Sequence, residues 1–261
     1  MNIQTDKFFL IAGPCVVESE ESCFEIAEEL KAVTTELDIP FIFKASYKKA
    51  NRSRLDSFTT IGEEKALRIL ADVKSRFSIP VLTDVHETAD CALVKDIVDV
   101  IQIPAFLCRQ TALLIAAGNT GKTVNIKKGQ FVSAEMMQFA VEKVLSTGNN
   151  NILLTERGTM FGYNDLIVDF RNIPLLQKTG FPVLFDATHS VQQPNKVEGI
   201  SGGKPEYIET LAGCAIAAGV NGIFLETHPH PEKALSDGAN MLKLEDVRKL
   251  LEKLLRLRNA I

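Results

Sequence analysis

The sequence has no Cys-x-x-Cys pair: its five cysteines stand alone at positions 15, 23, 91, 108 and 214. An odd, scattered set argues against both a zinc ribbon and a disulfide framework. Any metal site would have to be assembled from ligands distant in sequence. No apolar run approaches the roughly 18 residues that suggest a membrane span. The N-terminus has no signal-like pattern. A soluble, cytoplasmic protein with no membrane partner is expected. An excess of positive charge is also missing, since 29 Lys and Arg are set against 33 Asp and Glu for a formal net charge of −4. That balance gives no electrostatic ground for a nucleic-acid partner. Finally, no Gly-x-Gly-x-x-Gly follows the first apolar run, which argues against a dinucleotide-binding sheet.

What is present is a rhythm. Hydrophobic residues make up 46% and charged residues 24%, enough for a sizeable core and a solvated surface. Strand-like runs fall at 8–12, 41–45, 80–85, 100–104, 123–127, 151–156, 182–187 and 222–226. Helical patterns lie near 19–37, 62–76, 87–97, 109–118, 133–147, 172–179, 205–219 and 243–258. Pro40, Pro80 and Pro182 mark the returns from helix to strand, and Ser133 is the expected N-cap of the fifth helix. Eight strand–helix units in 261 residues match a (β/α)8 TIM barrel of the α/β class. No linker or low-complexity stretch divides the chain, so 1–261 reads as one catalytic barrel domain.

A barrel of this kind carries its chemistry in the loops after the strands. The eight runs end at or just before Cys15, Lys44, Asp84, Gln102, Lys127, Glu156-Arg157, Asp186 with His189, and Glu226. After the second run, "KASYKKANRSR" (44–54) concentrates cations with amide and hydroxyl groups, as a phosphate clamp would. A second cationic set comprises Arg109, Lys127, Lys128 and Arg157. Two sets suit two phosphorylated substrates, or one heavily charged ligand. "GNTGKT" (118–123) is a turn rather than a phosphate loop, because position 116 is Ala and a strand follows.

Closure of the barrel makes the seventh, eighth and first strands neighbours. Cys15, His189, Glu226 and Asp237 then share one sector, a set suited to Fe, Zn, Mn or Co. His228 and His230 are competing ligands, and each of the four also suits plain packing or a polar strand end. Asp84 and His86 are an acid–base pair or a polar strand end with a helix cap at Glu87 or Thr88. Cys23, Cys91 and Cys214 read as packing residues, Cys108 as partly exposed, and 190–205 with Gly199, Gly202 and Gly203 as a lid.

"AGPCVVES", "FKASYKKANRSR", "VLTDVHE", "IQIPAFLCRQTALL", "NIKKGQF", "LTERGTMFGYNDLIVDFR", "FDATHSVQQP", "GGKPEYI" and "ETHPHPEKALSDGANML" occur in order along nearly the whole chain. Together they resemble the 3-deoxy-D-manno-octulosonate 8-phosphate synthases. The resemblance implies a transferase that condenses phosphoenolpyruvate with D-arabinose 5-phosphate, within a homotetrameric (β/α)8 fold, for lipopolysaccharide inner-core synthesis. It implies phosphoenolpyruvate binding by Lys44, Lys49, Gln102, Arg109, Lys127, Arg157 and His189. Asn51, Arg52 and Ser53 are the implied arabinose 5-phosphate set. Lys49, Asp84, His189 and Asp237 are implied in catalysis, with Gln130 in support. Cys15, where the metal-independent form has Asn, implies one divalent transition metal ion per subunit on Cys15, His189, Glu226 and Asp237. The related heptulosonate synthases, which use erythrose 4-phosphate, carry a KPRTS-like segment in place of "KANRS". A barrel that binds a phosphosugar without turning it over is the non-enzymatic alternative.

Overall fold

The apolar runs become parallel strands β1 (Phe9–Gly13), β2 (Phe41–Lys44), β3 (Val81–Asp84), β4 (Val100–Ile103), β5 (Thr123–Lys127), β6 (Ile152–Glu156), β7 (Val183–Asp186) and β8 (Gly222–His228). The structure, a computed structural model, describes residues 7–52, 54–194 and 202–261. The strands pair in chain order, and β8 pairs back onto β1 with Phe9 beside Gly222 and Gly13 beside Glu226. That last pairing closes a (β/α)8 barrel. Around it run α1 (Glu20–Glu36), α2 (Glu63–Phe77), α3 (Thr88–Val94), α4 (Thr111–Asn119), α5 (Met137–Leu145), α6 (Asn172–Gln177), α7 (Ile208–Ala217) and α8 (Val247–Asn259). Among the described residues no helix is long and apolar enough to cross a membrane.

Period-two alternation sorts the side chains into two layers. One set, including Leu10, Phe43, Val81, Ile101, Val124 and Leu225, packs outward against the helices. Phe9, Ile11, Ile42, Leu82, Val100, Leu153, Leu184 and Phe224 form a separate cluster inside the barrel. Burying each of these is worth about 1.5–3 kcal/mol relative to exposure. Two residues beyond Ile42, Leu82, Val100, Leu184 and Phe224 stand Lys44, Asp84, Gln102, Asp186 and Glu226, on the same inward face. Alternation therefore places a polar ring directly above an apolar plug. On β1 the corresponding position is Gly13, where a Cβ would lie 2.1 Å from the Lys44 carbonyl oxygen. Only glycine lets β1 and β2 approach so closely.

Local signals mostly act where expected. Ser19 caps α1 by accepting the Ser22 N–H at 3.1 Å. Glu87 and Asp90 form a capping box at α3. α4 ends at Asn119, and Gly121 at φ +70° turns the chain into β5, so "GNTGKT" is a turn. Three expectations fail. Ser133 is not the N-cap of α5: residues 134–139 first wind through i→i+3 bonds, and the α-helix begins only at Met137. Cys108 is fully buried, packed where a Cβ on Gly129 would come within 2.9 Å of its Sγ. Cys214 is exposed, because α7 buries Ile208, Ala212, Ala215 and Ile216 on another face. Ser53, Gly199 and the rest of 195–201 lie outside the described residues, while Gly202–Gly203 pair antiparallel with Gln192–Gln193.

Candidate active site

The polar ring opens into a cavity of about 1110 Å³ at the C-terminal ends of the strands. Its lining includes Lys44, Asp84, Gln102, Lys127, Arg157 and Glu226 from the barrel, Lys49, Asn51 and Arg52 from the loop after β2, and His189 and Asp237 from the loops after β7 and β8. Arg109 is not among them. It is exposed at the start of α4, and its carbonyl accepts Lys143 Nζ at 3.0 Å. Lys128 is also absent: alternation turns it out of the barrel, where Nζ donates to the Gly129 carbonyl at 3.0 Å and lies 3.7 Å from the buried Glu156. Gln130 is buried with neither side-chain polar atom partnered, and it too stays out of the lining.

Phe224, in the apolar cluster below the polar ring, has the Lys127 and Lys44 ammonium groups 3.8 and 5.6 Å from its ring centroid. Lys44 donates to Glu226 and, at 3.0 Å, to the Cys15 carbonyl. Lys127 donates to Asp186. Burial pulls Lys127 below the usual lysine range, and Asp186 only partly opposes it. Asp186 also accepts the His189 N–H at 2.8 Å and meets His189 Nδ1 at 2.7 Å. This holds the opposite ring nitrogen, Nε2, 3.5 Å from Glu226. Burial would raise Glu226, but the positive charges of His189, Lys44 and Lys49 outweigh it and hold the carboxyl well down. The Arg157 guanidinium donates to the His189 carbonyl at 3.0 Å and to Gln192 at 2.9 Å, which leaves Nε buried and unpartnered. Arg52 likewise bonds the Phe58 carbonyl at 2.9 Å and keeps one buried nitrogen, Nη2, free. Unpartnered guanidinium nitrogens in a cavity suit an anionic ligand.

Cys15 Sγ and one oxygen each of Glu226 and Asp237 lie within 4.8 Å of one another. Sγ is 2.9 Å from Ser236 Oγ and 3.5 Å from Asp237 Oδ2. Burial, aided by the Glu226 charge, pushes the Cys15 thiol up to about 12. His189 reaches this trio only through Glu226 and is not within the same radius of all three. The competing histidines stand apart: His230 is exposed beside Glu232, and His228 accepts the His230 N–H on Nδ1 at 2.9 Å. A thiol, two carboxylates and an adjacent imidazole are chemically suited to a divalent transition ion.

The whole chain can now be placed among known proteins. A model of the DAHP synthetase I family matches residues 2–261. The chain belongs to that family. It is 54% identical to the 2-dehydro-3-deoxyphosphooctonate aldolase of Desulfatibacillum aliphaticivorans over 251 residues, 96% of this chain and 92% of that one. It is also 54% identical to the aldolase of that name from Koribacter versatilis over 258 residues, covering 98% and 92%. The Cyanothece protein of the same name is 50% identical over 254 residues, covering 97% and 93%.

Two further features of this family member sharpen the site. Asp84 Oδ2 lies 3.2 Å from His86 Nε2, while Asp84 Oδ1 and His86 Nδ1 are buried without partners at the cavity edge. Burial works against Asp84, yet His86, Lys49 and Lys44 hold its carboxyl far below the usual range. The Asp84–His86 pair and the Glu87 cap thus coexist. Asp186 is the residue that motif reading passed over as a mere strand end. Its one legible signal was the Asp-x-x-His spacing of "DATH", which lets a carboxylate orient the imidazole three residues later.

Proposed function

We propose that the protein condenses phosphoenolpyruvate with D-arabinose 5-phosphate and water, giving 3-deoxy-D-manno-octulosonate 8-phosphate and inorganic phosphate for lipopolysaccharide inner-core synthesis. The observation that carries this reading is a single cavity lined by two cation sets, Lys44, Lys127 and Arg157 on the strands and Lys49 and Arg52 on the loop after β2. Two phosphorylated molecules repel each other in one pocket unless such charges are fixed in place beforehand. The relatives named 2-dehydro-3-deoxyphosphooctonate aldolase support the same choice.

In this mechanism Lys44, Gln102, Lys127 and Arg157 hold phosphoenolpyruvate, and Asn51 and Arg52, with Ser53, hold the aldose phosphate. Arg109, the remaining cation implied for phosphoenolpyruvate, is exposed at the start of α4, outside the lining of the cavity within one chain. Carbon 3 of phosphoenolpyruvate attacks the aldehyde carbon while water adds to carbon 2, and the hemiketal phosphate collapses with cleavage of its C–O bond. Lys49, hydrogen-bonded to Ser46 Oγ at 2.9 Å, would meet the developing alkoxide charge. Burial would lower Lys49, but the carboxylate charges of Glu226, Asp84 and Asp237, joined by Cys15 once its thiol ionises, hold it above its usual range. Asp84 and His189 are placed to hold or relay protons. Cys15, Glu226 and Asp237, joined by His189, would hold one divalent transition ion, which supplies Lewis acidity toward an oxygen of water or aldehyde. Four copies would associate through apolar side chains exposed after β5 and β6, among them Phe131, Phe139 and Phe161 at 51, 53 and 81% exposure.

Phosphate release with phosphoenolpyruvate plus arabinose 5-phosphate, erythrose 4-phosphate or neither tests this directly. Turnover with the five-carbon sugar, lost on chelation and restored by a divalent ion, is expected. Preference for erythrose 4-phosphate would move the protein to the heptulosonate reaction, and binding without phosphate release would make it a sensor. Full activity after exhaustive chelation overturns the metal assignment.

A further inference from the structure

Glu18 lies three residues beyond Cys15, between β1 and α1, and is not one of the cluster of Cys15, Glu226 and Asp237. Its Oε1 accepts the Leu235 N–H at 2.8 Å, two residues before Asp237. Its Oε2 lies 3.7 Å from Nε2 of His228, two residues beyond Glu226. The His230 N–H donates to His228 Nδ1 at 2.9 Å, so the ring proton sits on Nε2 and faces Glu18. The Glu18 and His228 side chains are only 11% and 10% exposed. Glu18, on the loop that carries Cys15, therefore stands beside the strand end that carries Glu226 and hydrogen-bonds the loop that carries Asp237.

The third of these needs a tether. Asp237 sits at φ +51°, a left-handed conformation disfavoured outside glycine and held only when its surroundings impose it. Leu235 is 49% exposed, so its side chain anchors the segment weakly. Ser236 Oγ also joins the two loops, but through Cys15 Sγ, itself a donor atom of the cluster. Glu18 ties them through atoms outside the donor set.

We propose that Glu18 is a positioning residue that holds the Asp237 loop against the Cys15 loop, beside the strand end of Glu226, at the spacing a divalent transition ion requires. The proposal rests on the metal reading above. Outer partners of metal ligands typically govern affinity by about 10–100-fold, so Glu18→Ala should weaken Co²⁺ binding to the full chain by that factor. Affinity is read from the thiolate-to-cobalt absorption during chelator competition, without substrate. The melting temperature of the metal-free variant should stay near wild type. Wild-type affinity in Glu18→Ala overturns the proposal and leaves the metal site standing. A parallel fall in metal-free melting temperature reduces Glu18 to a fold contact and also overturns it. If Glu18→Ala does not fold, Glu18→Asp decides, since its carboxylate is one methylene too short to span both partners. Weakened Co²⁺ binding there supports the proposal and unchanged binding overturns it. Absence of the cobalt–thiolate band in the wild type itself removes the metal reading, and Glu18's role with it.

Discussion

Cys15 and Cys23 are fully buried thiols, each pushed from 9.0 up to about 12, mainly by desolvation and then by the nearby Glu226 and Glu18 charges respectively. A raised folded-state value means the stabilising contribution is complete below pH 9.0 and is lost as pH climbs toward 12. In metal-free, reduced protein, urea unfolding should therefore show stability falling across that window, by up to about 1.4 kcal/mol per pH unit for each thiol. Cys23→Ala should remove one thiol's share of the slope, and an unchanged slope would count against this origin. Asp186 offers a second test at this scale. Asp186→Asn removes the charge that orients His189 and opposes the burial penalty on Lys127. Phosphate release should fall by about tenfold or more, with weaker phosphoenolpyruvate binding visible in KM. Burial was legible for Cys23 and Cys91, read as packing residues, but exposed Cys214 and buried Cys108 reverse expectation, because which face a helix or loop covers depends on its neighbours.

The loop after β2 and helix α3 are joined by one residue. Asp90 Oδ2 accepts the His86 and Glu87 N–H groups at 2.9 and 3.0 Å, while Oδ1 accepts Lys48 Nζ at 3.0 Å. Asp90→Ala should cost about 1–2 kcal/mol in urea unfolding through the lost cap and hydrogen bonds. It should also raise KM for the aldose phosphate, since the Lys48 anchor precedes Lys49 to Arg52. Gly13→Ala tests the β1–β2 approach. Its Cβ would collide with a backbone carbonyl that cannot swing away, so a loss of at least about 3 kcal/mol is expected. At this scale the sequence was highly legible. The strand runs, the proline returns and the α3 cap rest on local rules, and all three appear in the fold. The Ser133 cap failed because an i→i+3 turn competes locally with the α-helix, and a capping residue does not choose between them.

Barrel closure by β8 on β1 is the event that creates the site, since it brings Glu226 beside Gly13 and therefore near Cys15. At the same scale, the proposed tetramer predicts that sedimentation velocity finds four copies per particle. Phe139→Lys combined with Phe161→Asp should shift the particle to smaller species while circular dichroism remains unchanged. A tetramer that survives both changes would place the subunit contact elsewhere.

By itself the sequence determined the (β/α)8 rhythm and the identity of the side chain at the head of each strand. Both follow from short-range physics: alternation has period two, and apolar runs stop where water begins. It also limited the chemistry, since Cys15, Glu226, Asp237 and His189 appear at adjacent strand ends once closure is assumed. Only the tertiary structure decided who meets whom. Cys15, Glu226 and Asp237 converge, His189 joins through Glu226 and is aimed by Asp186, and Arg109 stays outside. Distances of a few ångström depend on loop paths and on long-range ties such as Glu18 to Leu235, 217 residues apart, which no local pattern encodes.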